Sequence, residues 1–199
     1  METDCGIEMM ESRLLEENGR AHFMTRRFDL PNEKDKLHVQ TFCALMHYDF
    51  NEAGMFSYEQ LFELMRIMRL PYPQYEQLYK RMVFNVVARN CDDHTKNFAF
   101  TMNQNGEWKL SPAYDICHAY RPGSTWVSQH NLTINGKRQN ISRTDLLEVA
   151  SNMNIKKAKY VIDQINKVVI NWNYYAEQQK VEVKLKEAIG NTLLPVLLS

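Results

Sequence analysis

Ala88-Arg89-Asn90-Cys91-Asp92-Asp93-His94-Thr95-Lys96-Asn97, followed downstream by Ser111-Pro112-Ala113-Tyr114-Asp115, decides how this chain reads. Positions 92 to 97 crowd two acids, a histidine, a lysine and an asparagine together, and Asp115 adds an acid in apolar surroundings. An Asp, an Asn five residues on and a further Asp about twenty residues later is a common spelling of a phosphoryl-transfer site. In such a site one acid faces the acceptor hydroxyl, while the Asn and the second Asp hold magnesium against nucleotide phosphates. Asp92 is then the candidate base, because an attacking hydroxyl must give up its proton. Asn97 and Asp115 are the candidate metal ligands. Magnesium prefers oxygen and needs only one or two protein carboxylates when phosphates supply the rest. Each of these acids alone would read as a turn residue; the combination changes the reading.

Outward from this loop, the chain alternates ribbons and helices. Residues 12–29 read as a β-hairpin, with Asn18-Gly19 as a two-residue turn between Ser12–Glu17 and Ala21–Arg27. From residue 33 the pattern reads as helical. Ser57-Tyr58-Glu59-Gln60 has capping-box spacing ahead of Leu61, Leu64, Met65 and Met68 on one face. Pro71 and Pro73 end that helix. Tyr75, Leu78, Tyr79, Met82, Val83, Val86 and Val87 form a second apolar stripe that delivers the chain into Asn90. Phe98–Met102 and Glu107–Leu110 flank Asn103-Gln104-Asn105-Gly106 as another hairpin. Ser142-Arg143-Thr144-Asp145 caps a helix to about residue 152, and helical pattern resumes near Lys156 and runs, with breaks, toward Pro195. The Asp/Asn cluster therefore falls on a loop between a buried helix and a short ribbon.

Composition narrows the class. The 199 residues carry 44% apolar and 24% charged residues and a formal net charge of zero, so no global basic field suits the chain to direct nucleic-acid binding. No apolar run approaches the roughly 20 residues of a membrane span, and acids stand where a secretion signal would be basic. The chain reads as cytoplasmic. Cys5, Cys43, Cys91 and Cys117 show no Cys-x-x-Cys spacing and read as reduced thiols. A rival constellation, Cys91, His94, Cys117 and His118 around zinc, lacks the tight cysteine pairs of a structural site. The methionines read as adaptable core filling.

Asp92-Asp93-His94-Thr95-Lys96-Asn97 and Leu110-Ser111-Pro112-Ala113-Tyr114-Asp115 resemble the C-terminal kinase domain of HipA-type serine/threonine kinases, the toxin partners of bacterial toxin–antitoxin systems. Cys5-Gly6-Ile7, Ser12-Arg13-Leu14 and Phe23-Met24-Thr25-Arg26-Arg27-Phe28-Asp29 resemble that family's stretch leading into its nucleotide hinge. Leu132-Thr133-Ile134-Asn135-Gly136-Lys137-Arg138 and Asp145-Leu146-Leu147 resemble segments downstream of its active site. The resemblance implies a mainly α fold with small β-hairpins (α+β), the C-lobe of a HipA-type kinase spanning 1–199, with 1–29 as the hairpin and hinge leading into it. It implies ATP and Mg2+ as cofactors, Asp92 as base with Asp93 structural, and Asn97 and Asp115 on the metal. Arg26, Phe28, Asp29, His94, Lys96 and Tyr114 would contact nucleotide: adenine at the Arg26–Phe28 hinge, ribose at Asp29, phosphate at Lys96. Asp115-Ile116-Cys117 stands where protein kinases usually carry Asp-Phe-Gly. The implied partners are a protein substrate such as an aminoacyl-tRNA synthetase, and a helix-turn-helix antitoxin.

One part of the pattern is missing. Seven glycines, at 6, 19, 54, 106, 123, 136 and 190, form no Gly-x-Gly-x-x-Gly, and no lysine precedes Lys34. The family's N-lobe, with its phosphate loop and lysine, is expected ahead of residue 1, upstream or as a separate piece. Little phosphoryl transfer is expected of these residues alone. The alternative from another class is a non-catalytic interaction module that keeps the fold.

Overall fold

The computed structural model describes residues 1–32 and 35–194. The first element is the expected hairpin, β1 (Ser12–Glu17) and β2 (Arg20–Thr25), paired antiparallel with Ser12 opposite Thr25. Asn18 and Gly19 both have positive φ (51° and 72°). A two-residue turn with this twist matches the right-handed twist of its strands.

The segment expected to be helical from residue 33 instead opens with a strand. β3 (His38–Thr41) pairs antiparallel with β4 (Ala99–Met102), which pairs with β5 (Trp108–Leu110). The expected Phe98–Leu110 hairpin is therefore two-thirds of a three-stranded sheet. Four residues are too few for a period to show, and Val39 and Thr41 suit a strand. Only then does the short α1 (Phe42–Met46) begin, capped by the Thr41 hydroxyl.

α2 (Tyr58–Ile67) starts on a full Ser57/Gln60 capping box, and α3 (Tyr72–Val87) starts at Pro71, with Pro73 in its first turn. The prolines thus stop one helix and start the next, because a first-turn residue has no helical N–H bond to lose. α3 is the spine. Leu78, Tyr79, Met82, Val83, Val86 and Val87 are fully buried, as are Arg81 and Asn85 on other faces. It packs along α5 (Ala158–Ile170) through Val161, Ile162, Ile165 and Val169. α4 (Arg143–Asn152) begins on a second capping box, Ser142/Asp145. α6 (Trp172–Gln178) and α7 (Val183–Gly190) follow; the expected end of the helical run at Pro195 lies outside the described residues. Leu194 returns to α3, donating its N–H to the Val87 carbonyl at 3.0 Å. Among the described residues no helix is long and apolar enough to cross a membrane. A helical body with small antiparallel sheets is the architecture expected of the chain.

Candidate functional site

α3 ends at Val87, and the chain turns through Arg89 at φ 57° into the loop that carries Asp92. Cys91 N–H donates to the Ala119 carbonyl and Ala119 N–H to the Arg89 carbonyl, so the loop runs against the segment after Asp115. A single 3-10 turn, Thr95–Asn97, then delivers the chain into β4. β5 leads to the second stretch. Ser111 N–H donates to the Ala99 carbonyl, and the Ser111 carbonyl accepts from the buried Arg81 guanidinium at 2.6 Å. Burial lowers the Arg81 pKa to about 10, still far above neutrality. Ala113 N–H donates to the Glu8 carbonyl at 2.7 Å, tying this stretch to the segment that enters β1.

Between the hairpin, residues 26–29 and residues 113–117 lies a cleft of about 600 Å³. Of the expected nucleotide contacts, Arg26, Phe28, Asp29 and Tyr114 line it, with Asp115 at the same wall. Phe28 and Tyr114 stack at 5.5 Å with 28° between ring planes. The Tyr114 hydroxyl donates to the Lys96 carbonyl at 2.6 Å, so the aromatic wall and the Asp92 loop are fastened together. Asp29 is held by Arg27 through two hydrogen bonds, at 2.9 and 2.6 Å, which lower its pKa. Its carboxylate is thus engaged by a neighbouring cation. The Arg26 guanidinium donates to the Pro31 carbonyl.

His94 and Lys96 do not line this cleft. The Lys96 ammonium sits 3.1 Å from the Phe50 ring centroid, an attractive cation–ring contact, rather than in an ion pair with Asp92. The His94 ring meets Phe50 edge-on, accepts from Lys96 N–H, and lies 3.9 Å from the Asp92 carboxylate.

Asn97, Tyr114 and Asp115 line one small cavity beside the cleft, with Arg81, Asn85, Asn90 and Asp93 behind them. The Asn97 amide NH2 donates to the Asp92 carbonyl at 2.8 Å. That bond orients the amide, with its NH2 on the Asp92 carbonyl. Asp115 is exposed and takes φ 53°, a backbone conformation that costs a non-glycine residue roughly 1–3 kcal/mol and clusters at functional sites. A neutral oxygen and a carboxylate on one cavity fit a magnesium ion whose other ligands come from phosphates and water. The zinc alternative fares differently. Cys91 is buried, Cys117 exposed, His118 shares a 2.8 Å hydrogen bond with Thr192, and among the described residues no three His, Cys, Asp or Glu side chains gather to hold a metal.

Sequence reasoning left Asp93 without its partners. Its fully buried carboxylate accepts from Tyr58 Oη on α2 (2.9 Å) and from Asn131 N–H (2.7 Å), and pairs with His130 Nδ1 (2.9 Å). Asn85 of α3 donates to Tyr58 Oη, and Asn90 donates to Asn85, so α2, α3 and the loop share one buried network. Burial alone would favour the neutral imidazole of His130, but the Asp93 carboxylate overrides it and raises the pKa to about 10. Tyr58, His130 and Asn131 stand 35, 37 and 38 positions away, and no local spacing announces them.

Residues 1–172 match the family model described as the HipA-like C-terminal domain. A Sinorhizobium fredii protein named "Putative kinase Y4mE" is 28% identical over 108 residues, covering 50% of this chain and 26% of that protein. The HipA, HipB and operator DNA complex of the Shewanella oneidensis MR-1 toxin–antitoxin system contains a chain that superposes with a TM-score of 0.72 at 16% identity, over 96% of this chain and 50% of that one. The Helicobacter pylori proinflammatory kinase CtkA superposes with a TM-score of 0.57 at 13% identity, over 96% of this chain and 76% of its own. The chain spans about a quarter of the Sinorhizobium protein and half of the Shewanella chain.

Proposed function

We propose, from the premise that this chain belongs to the HipA-like C-terminal domain family, that it is the catalytic lobe of a serine/threonine protein kinase. It would use ATP with Mg2+. The observation that carries this reading is that Tyr114 and Asp115 line both the cleft walled by the Phe28–Tyr114 stack and the small adjoining cavity lined by Asn97, whose amide is hydrogen-bonded to the Asp92 carbonyl. The cleft supplies an apolar, aromatic wall for a nucleobase, and the cavity beside it supplies oxygen ligands. Asn97 and Asp115 would hold magnesium, which neutralises phosphate charge as the phosphoryl group transfers. Asp92, on the neighbouring turn, would orient the acceptor hydroxyl and accept its proton. Arg26 and the backbone of 26–28 would face adenine. With Asp29 engaged by Arg27, a ribose contact there needs that ion pair to open or to be shared. His94 and Lys96 would reach phosphate only by leaving Phe50.

The Shewanella complex, in which HipA is seen with HipB and operator DNA, suggests a toxin role with an antitoxin partner. A helix-turn-helix antitoxin and a substrate such as an aminoacyl-tRNA synthetase remain part of the proposal on the family resemblance alone. A phosphate-loop and lysine-bearing lobe would complete the site. The second reading, a non-catalytic module, is favoured by the engaged state of Lys96 and Asp29.

Thermal unfolding with ATP, with and without Mg2+, tests the proposal on the wild type and on Asp115→Ala. A ligand at about 100 times its Kd adds roughly 2.7 kcal/mol, and 1 kcal/mol moves the midpoint of a chain this size by about 2–4 °C. A magnesium-dependent shift that Asp115→Ala abolishes supports the kinase lobe. A wild type unmoved by nucleotide argues for the module.

A further inference from the structure

We propose that His130 is a positioning residue for the divalent-cation site: by pairing with Asp93 it fixes the loop whose Asp92 carbonyl holds the Asn97 amide. The inference rests on the kinase reading and extends it to a residue on the far side of the loop.

The chain of contacts is continuous. His130 is held at both backbone groups by Arg138: its N–H donates to the Arg138 carbonyl at 3.0 Å, and its carbonyl accepts from Arg138 Nε at 2.7 Å. Its neighbour Asn131 receives Gly54 N–H on its carbonyl, and sends its side-chain amide to the carbonyls of Cys91 (2.9 Å) and Trp126 (3.1 Å). Asn131 N–H and His130 Nδ1 then take the two oxygens of the Asp93 carboxylate. The carbonyl just before Asp92 and the side chain just after it are both bound from the 130–131 side. Asp92 thus has little freedom to rotate its peptide plane, and the same plane's carbonyl receives the Asn97 NH2 at 2.8 Å. An amide so held presents its oxygen, not its nitrogen, to a cation.

His130 is the cationic member of this bracket. The groups that face it are Asp93 and Cys91 from the loop and the Arg138 side chain, and Tyr58 of α2 joins through Asp93. Tyr58 offers Asp93 a neutral hydroxyl and Asn131 a neutral amide, whereas only His130 brings positive charge to it among the contacts described. Removing that charge leaves a fully buried carboxylate without a counter-ion, so Asp93 must take up a proton or turn toward solvent, and either change loosens the bracket. Asp92 and Asn97 would loosen with it. Groups hydrogen-bonded directly to metal ligands typically carry about 10–100-fold in metal affinity, and His130, acting through Asp93 and Asp92, should carry no more than the low end of that, up to about 10-fold.

The test is thermal unfolding of wild type, His130→Ala and His130→Gln with ATP, and then with ATP and rising Mg2+. His130→Ala should keep the magnesium-free nucleotide shift, because the Phe28–Tyr114 wall is untouched, and need several-fold more Mg2+, up to about 10-fold, for the magnesium increment. Adding imidazole, which refills the vacated space, should restore the increment; a merely destabilised fold would not regain Mg2+ sensitivity. His130→Gln keeps bulk and a donor without charge, and should fold even where the alanine variant does not, again with weakened Mg2+ dependence. An unchanged Mg2+ titration in the folded variants overturns the inference and leaves the kinase reading standing. A wild type that shifts with neither ATP nor Mg2+ overturns the kinase reading, and the inference with it.

Discussion

Asp92 and Asp93 are adjacent and chemically identical, yet the fold gives them opposite work. Asp92 is half-buried with His94 Nε2 3.9 Å from its carboxylate, while Asp93 is sealed among three partners. If the first is the base, it should touch the acceptor and not the nucleotide. Asp92→Asn should then leave the ATP and Mg2+ thermal shifts intact where Asp115→Ala removes the Mg2+ part. Tyr58→Phe should behave unlike either. It strips a donor from Asp93 and an acceptor from Asn85, so it should cost about 1–3 kcal/mol of unfolding free energy in a urea titration. The sign of the His130 effect follows from its raised pKa. The pair's stabilisation is complete below the unfolded-state value near 6.5 and fades as pH rises toward about 10. Between pH 7 and 10 the wild type should therefore lose stability that His130→Gln does not lose. At this scale Asp92 and Asn97 stood out as candidates because their spacing is local, five positions apart. The network behind Asp93 was not, because it joins residues more than thirty positions apart.

Elements with several turns of pattern announced themselves: α2 and α4 through their capping boxes, α3 through its stripe. β3 did not, since its four residues acquire meaning only against β4, some sixty positions away. The two capping boxes should differ in worth. Ser57→Ala removes one cap, about 1 kcal/mol. Ser142→Ala should cost more, because its hydroxyl also donates at 2.6 Å to Asp145, which holds Lys137 and Asn135. Urea unfolding of the two variants side by side checks the order. The β1–β2 hairpin stands apart, with all twelve strand residues exposed. Its amides should exchange with deuterium well before those of α3. Because Ser12, Phe23 and Thr25 line the cleft, ATP should slow that exchange if the cleft is the nucleotide site.

Over the whole molecule, acid should undo the fold through Asp145 before it undoes α3. Burial would raise that carboxyl's pKa, but Lys137, Ser142 and Asn135 hold it well below the usual range. Its contribution is present above the unfolded-state value near 4 and is lost as pH falls below it. A urea midpoint that drops with pH below about 4, with a shallower drop in Asp145→Asn, is the expected result. The family was legible from the loop outward because its spelling is short and contiguous. The relative placement of loop and cleft was not. It depends on Arg81 reaching Ser111, Tyr114 reaching Lys96 and Glu8 reaching Ala113, three contacts between segments no pattern connects.

The hairpin has a practical corollary. Two short strands with Leu14, Leu15 and Met24 in water make a ribbon of two strands among the described residues, with unused backbone donors and acceptors along its outer sides. Such ribbons are marginal by themselves and invite further strands from any chain that supplies them. Concentrated solutions should scatter light increasingly on standing, and Leu14→Lys with Leu15→Lys should keep them clear without moving the melting of the helical body.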